Sequence, residues 1–267
     1  DNPEAFRAAV TEKTRAIFVE SLANPGGVIV DLEAIAKIAQ EAEVPLIVDN
    51  TMATPWLCRP FEWGADLVVH STTKFLSGQG NAMGGIVIDS GRFPWFGNAK
   101  YPSLSEPCPD YNGLTFAETF GDMAFTLYSH AVSLRDLGCT QSPMNAWITL
   151  NGVETLPLRM ERHVENAQKV AGFLQQHPSV EWVSYAGLSS SPYYQLAQKY
   201  LQGKAGSVFT FGIRGGYESG LRLLEKVELF SHVSNIGDSR SLILHPASTT
   251  HRQLSDEQRL TAGAGPE

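Results

Sequence analysis

Apolar and polar positions alternate in blocks along the first ninety residues. "TRAIFVES", "VPLIVDN" and "ADLVVHS" are short, almost continuously apolar runs, the pattern of strands buried on both faces. Between the first two, "DLEAIAKIAQEAE" repeats apolar residues at helical spacing behind Asp31, a residue type that caps helix N-termini. The opening "DNPEAFRAAV" has the same form, a cap and a proline in the first turn of a helix. Strand, helix, strand with such strands predicts a parallel sheet covered on both sides, so this part of the chain is expected to be α/β.

The pattern then changes. A loop rich in proline and polar residues, "YPSLSEPCPDYNG", precedes helical spacing from Phe116 to Leu137 and again from Pro143 to about Gln176. Pro157 is expected to kink or interrupt the second stretch. Beyond it "VEWVSYAG", "SVFTFGIR" and "RSLILHP" alternate with helix-like segments such as Glu218 to Phe230. This predicts a second, smaller α+β domain, with the chain divided into 1–153 and 154–267. No internal repeat or low-complexity segment is present.

Composition narrows the functional classes. With 267 residues the chain can bury a sizeable core, and its 43% hydrophobic and 18% charged content is ordinary for a globular protein. No apolar run approaches the roughly 18 residues of a membrane span. A net charge of −8 without any Lys/Arg block argues against nucleic acid. Cys58, Cys108 and Cys139 are odd in number and widely spaced, which favours a reducing cytoplasm over a disulfide framework or zinc site. His245 and His251 bracket "PASTT" without an H-E-x-x-H or cysteine partner, so they read as structural, and no metal is expected.

In open parallel sheets, ligands collect beyond the carboxyl ends of the strands. Asp49 closes "PLIVD", and Ser71 to Lys74 follow "LVVH", so an acid and an amine should reach one crevice. The separation, 74 − 49 = 25 residues, suffices for a right-handed crossover. If "STTK" stays extended, Ser71 and Thr73 face one way and Lys74 the other. Glycines 78, 80, 84 and 85 then let backbone approach a ligand. A lysine, a carboxylate and a hydroxyl pair are what pyridoxal phosphate requires for its aldehyde, its ring nitrogen and its phosphate. Singly, Asp49 could be a turn residue, Lys74 a solvated charge and the Ser/Thr/Gly cluster a loop; their order at successive strand ends favours the cofactor. The glycines miss G-x-G-x-x-G, and neither G-x-x-x-x-G-K-[ST] nor G-x-S-x-G occurs.

Longer segments carry a resemblance. "FVESLANPGG", "VDNTMATPWLCRPFEWGADLVVHSTTKFLSGQGNAMGG", "LNGVETLPLRMERHVENAQKVAGFL" and "SLILHPASTTHRQLS" resemble, in order and over nearly the whole chain, the pyridoxal-phosphate-dependent enzymes of Cys/Met metabolism. The insertion "YPSLSEPCPDYNGLTFAETFGDMAF", the following "LRDLGCTQSPMNAW" and "HPASTTHRQL" are similar to the O-acetylhomoserine sulfhydrylases within that family. The resemblance implies an aminotransferase-like fold of type I, with a mostly parallel sheet in the large domain and a smaller α+β C-terminal domain. It implies a cytoplasmic homotetramer with shared active sites, serving methionine biosynthesis.

By resemblance, Lys74 is the Schiff-base lysine and Asp49 pairs with the pyridine nitrogen. Ser71 and Thr73 take the phosphate, Asn24 the phenolic oxygen, Thr51 lies beneath the ring, and Asn235 touches the substrate carboxylate. The implied reaction replaces the acetate of O-acetylhomoserine by sulfide or methanethiol, giving homocysteine or methionine. The alternatives are a γ-lyase of the methionine or cystathionine type, a cystathionine γ-synthase, or a scaffold that has lost its chemistry. The family also carries a phosphate-binding loop and a ring-stacking tyrosine before the position of Asp1, and a carboxylate-binding arginine after that of Glu267. The expectation is therefore a chain truncated at both ends, which alone would bind cofactor weakly and turn over nothing.

Overall fold

The computed structural model describes residues 1–261. Strands β1 (Ile17–Glu20), β2 (Leu46–Asp49) and β3 (Leu67–Ser71) run parallel, and β4 (Gly85–Asp89) joins antiparallel to β3, in the order β1-β2-β3-β4. The three parallel strands are the three apolar runs of the sequence. β4 is one the sequence pattern above does not assign; its Ile86, Val87 and Ile88 are exposed. The sheet is thus mostly parallel, and the chain is α/β as expected.

Helix α1 (Pro3–Ala9) starts at Asn2, whose side chain accepts from Glu4 N–H at 3.0 Å. Helix α2 (Leu32–Glu41) starts at Asp31, which accepts from Ala34 N–H at 3.2 Å, satisfying one of the free amides of a first turn. α2 buries Leu32, Ile35, Ile38 and Ala39. After β2 comes α3 (Thr54–Leu57), and the insertion after β4 folds as α4 (Pro102–Ser105), α5 (Phe116–Phe120), α6 (Ala124–Tyr128) and a π-helical turn over Ser129–Asp136. It has its own small core of Phe93, Trp95, Leu104 and Phe116, with Trp95 stacked on Phe125 at 5.5 Å.

The helical stretch from Pro143 is two helices, α7 (Pro143–Glu154) and α8 (Leu156–Gln175), separated by Thr155. Pro157 falls in the first turn of α8, where its missing N–H leaves no bond unmade. Strand β5 (Val180–Ser184) and, after α9 (Tyr194–Tyr200), strand β6 (Thr210–Ile213) form an antiparallel pair. α10 (Gly216–Lys226) stops four residues before Phe230, with Val227 extended. β7 (Ser231–His232) and β8 (Leu242–Ile243) make a two-residue parallel pair, so only Leu242 and Ile243 of "RSLILHP" are strand, and α11 (Asp256–Thr261) follows.

One buried cluster packs Ile17, Val19, Leu46 and Val48 of the sheet with Ile35 of α2, Met160 and Val164 of α8, and Tyr200 and Leu201. Burial of each large aliphatic there contributes about 1.5–3 kcal/mol. The cluster fixes the sheet against α8, and with it the strand ends that open onto the site. No helix among the described residues is long and apolar enough to cross a membrane.

Candidate active site

The carboxyl ends of β1, β2 and β3 open onto a cavity of about 170 Å³. Five sequence-predicted residues line it together: Asn24, Asp49, Thr51, Ser71 and Lys74. Thr51 ties two strand ends to each other, its N–H donating to Asp49 Oδ1 at 2.9 Å and its Oγ1 accepting from Ser71 N–H at 2.8 Å. Behind it the fully buried Asn50 accepts from Ser21 Oγ at 2.7 Å and donates from Nδ2 to the Cys58 carbonyl at 2.8 Å. Each buried polar atom of this latch has a partner, so it holds the ends of β1 and β2 without a desolvation penalty.

Lys74 does not continue an extended strand. The chain leaves β3 at Ser71 and enters a π-type turn over Thr72–Leu76, within which Lys74 itself has non-helical φ −90 and ψ −125. The turn closes because Thr72 N–H donates to the Gly84 carbonyl at 3.0 Å, Ser77 N–H to Thr72 O at 3.1 Å, and Gly78 N–H to Lys74 O at 2.9 Å. Two-residue alternation therefore lapses at Ser71. The Thr73 hydroxyl accepts from Gly84 N–H at 3.1 Å and donates to Gly84 O at 3.3 Å, and Thr73 is not among the residues lining the cavity, whereas Ser71 is.

The amine of Lys74 donates to Asn235 Oδ1 at 2.7 Å, which brings in a residue 161 positions away. The segment that carries Asn235 lies directly on the lysine turn. Gly237 has φ +75, and a Cβ there would lie 2.4 Å from Phe75 N; Ser239 N–H donates to Gly78 O at 2.9 Å. Next to it the buried Asp238 is held by Arg240 at 2.8 Å, and that bond keeps its carboxyl below the usual range.

Sequence reasoning missed Glu20, Leu22, Met52 and Ile236, which complete the lining. Glu20 was within its reach, since it ends β1 in register with Asp49 and the strand-end rule applies to it equally. Its Oε2 accepts from Asn24 N–H at 3.3 Å. Burial raises its carboxyl above the usual range, the Asn24 amide opposes this, and Asp49 adds to it. On β3, burial lowers the pKa of His70 against the pull of Asp49.

An acid and an amine lining one cavity, with hydroxyls of Thr51 and Ser71 beside them and a neutral amide as the partner of the amine, suit a ligand bearing an aldehyde, an aromatic nitrogen and an anion. They lie together at the carboxyl ends of the parallel strands. The chain belongs to the Cys/Met metabolism PLP-dependent enzyme family, whose model matches residues 1–267. It is 50% identical over 274 residues to O-acetyl-L-homoserine sulfhydrylase of Leptospira meyeri, covering 99% of this chain and 62% of that protein. It is likewise 44% identical over 265 residues to homocysteine synthase of Schizosaccharomyces pombe, covering 98% of this chain and 62% of that one. Its fold is similar to the crystal structure of an O-acetylhomoserine (thiol)-lyase from Campylobacter jejuni that contains N'-pyridoxyl-lysine-5'-monophosphate. The TM-score is 0.95 at 41% identity, over 100% of this chain and 63% of that one. The chain thus spans about 62% of the length of the curated relatives it matches.

Proposed function

We propose that this chain is the lysine-bearing part of a pyridoxal-phosphate-dependent enzyme that converts O-acetylhomoserine and sulfide, or methanethiol, to homocysteine, or methionine, and acetate. The observation that carries the reading is that Asp49 and Lys74, from neighbouring parallel strand ends, line one cavity. The names of its relatives support the substrate class.

Pyridoxal phosphate, when bound, supplies an aldehyde that links covalently to amines and a ring that takes up electrons. Lys74 Nζ would hold the aldehyde carbon of that group, and its amine is the base that would take and return protons at the substrate carbons. The Asp49 carboxylate holds the proton of the ring nitrogen, and its own orientation is fixed by Thr51 N–H. Ser71 donates to the phosphate; Thr73 must turn from its bonds with Gly84 to do the same. Asn24, whose backbone is fixed by Glu20, would hold the phenolic oxygen, and Thr51 would contact the ring from the cavity wall. Asn235, through its bond to Lys74, orients the amine and meets the substrate carboxylate. The same reading makes 1–153 part of a cofactor-binding domain and 154–267 part of a smaller α+β domain, in a cytoplasmic homotetramer.

Incubation with pyridoxal phosphate, borohydride reduction and intact-mass measurement tests the site. One pyridoxyl-phosphate group per chain is expected, with Lys74→Ala abolishing both the adduct and the visible colour. An unchanged adduct in Lys74→Ala would sink the assignment. In a polypeptide of the relatives' full length that contains this chain, O-acetylhomoserine with and without sulfide separates the reactions: replacement needs the thiol, whereas a lyase releases 2-oxobutanoate freely.

A further inference from the structure

The turn that carries Lys74 ends in carbonyls that, like those of any helix terminus, have no donor in the next turn. Arg159, in the first turns of α8, meets them. Its Nη1 donates to Phe75 O at 2.8 Å, and its Nη2 to Gly152 O at 2.7 Å and Leu76 O at 3.4 Å. Its Nε donates to Thr155 Oγ1 at 3.1 Å. One planar guanidinium therefore joins the lysine turn to the Gly152 carbonyl in the last turn of α7, across the elbow at Thr155.

Two glycines make room for this joint. A Cβ on Gly78 would lie 2.6 Å from the guanidinium carbon, and one on Gly152 would lie 2.4 Å from Leu76 O. The four acceptors carry no formal charge, so what they select is the geometry of the fork, which a lysine ammonium does not reproduce. From another direction Gly237 presses on the Lys74–Phe75 peptide, its absent Cβ 2.8 Å from Lys74 C and 2.4 Å from Phe75 N. The peptide that follows the reactive lysine is thus gripped by the glycine loop, and its neighbouring carbonyl by the guanidinium.

We infer that Arg159 is a positioning residue for Lys74, fixing the π-type turn so that the amine points into the cavity. The inference rests on the reading of Lys74 as the cofactor-linked lysine. It is distinct from a general contribution to the core, because its bonds are to the turn and to Gly152 and Thr155, not to the sheet.

The test compares Arg159→Lys, Arg159→Gln and Val164→Ala in this chain, the last trimming a buried side chain of the same helix that makes no hydrogen bond to the turn. Hydrogen exchange is followed at the Ser77 and Gly78 amides, which close the turn, and covalent attachment of pyridoxal phosphate to Lys74 is followed by borohydride trapping and mass. Arg159→Lys is expected to fold, to lose protection at these amides, and to attach cofactor about tenfold more slowly, the effect of one hydrogen bond. Arg159→Gln is expected to lose more. Val164→Ala is expected to lower global stability and leave the attachment rate unchanged. Wild-type protection and rate in Arg159→Lys would overturn the inference, and Arg159→Lys decides should Arg159→Gln fail to fold. If the parent chain attaches no cofactor at Lys74, the proposed function fails, while amide protection still decides whether Arg159 holds the turn.

Discussion

Gly237→Ala tests how closely the loop bearing Asn235 is fitted to the lysine turn. At φ +75 any L side chain costs roughly 1–2 kcal/mol in the left-handed region. The new methyl would also stand 2.4 Å from Phe75 N, against the 3.4 Å at which ordinary contact begins. The loop must withdraw by 3.4 − 2.4 = 1.0 Å, because its neighbours are backbone atoms and have no rotamer to change. A 2.7 Å bond from Lys74 to Asn235 does not survive that displacement if it falls along the bond, since hydrogen bonds of this kind fade beyond about 3.2 Å. Strain and the lost charge-assisted bond together are expected to lower stability by about 3 kcal/mol. Urea unfolding followed by far-UV circular dichroism measures it. Gly97→Ala is the reference, since Gly97 has φ +68 and nothing within 4 Å of a Cβ, so it incurs the backbone term alone. If Gly237→Ala costs no more than Gly97→Ala, the close approach carries no weight and the reasoning fails.

Alkali should expose a second set of buried groups. Burial, with Glu62 adding to it, pushes the Cys58 thiol from 9.0 up to about 12, and burial pushes the Tyr185 hydroxyl from 10.0 up to about 12. Both are neutral when protonated and ionise earlier once unfolded, so unfolding releases protons between these values. These two groups leave stability unchanged up to about pH 9 and lower it as pH rises from there towards 12, with Cys58→Ala flattening the first part of the fall; a level profile above about pH 9 in the parent chain would contradict this. The same burial governs alkylation at neutral pH. Iodoacetamide should label the exposed Cys139 and leave Cys58 unlabelled until denaturant is added; equal rates at the two would show that Cys58 is not enclosed.

The parallel strands were legible as short apolar runs, but the expectation of burial on both faces fails for β1, where Ile17 and Val19 are buried and Phe18 is exposed. β4 was not, since Ile86, Val87 and Ile88 form an apolar run that the chain leaves exposed, and periodicity does not distinguish that case. The elbow near Pro157 was legible from the proline itself. Asp49, Ser71 and Lys74 followed from the rule for strand ends, while Asn24, Thr51 and Asn235 came through resemblance. The extended reading of "STTK" failed because the turn depends on the Gly84 carbonyl, an acceptor that only the return along β4 supplies. Arg159 and Gly237 meet the lysine turn across more than eighty residues, a distance at which local pattern carries no signal.

The lysine turn is gripped through its main-chain atoms: the Thr72 amide by the Gly84 carbonyl, the Ser77 and Gly78 amides by the Thr72 and Lys74 carbonyls, and the oxygens of Phe75 and Leu76 by Arg159. What is specified there is a count of residues together with one guanidinium that meets the end of the turn. Adding or deleting a single residue between Lys74 and Gly84 moves these atoms out of step with the carbonyl of Gly84 at once. The amine is placed by spacing, much as a tooth is placed on a gear.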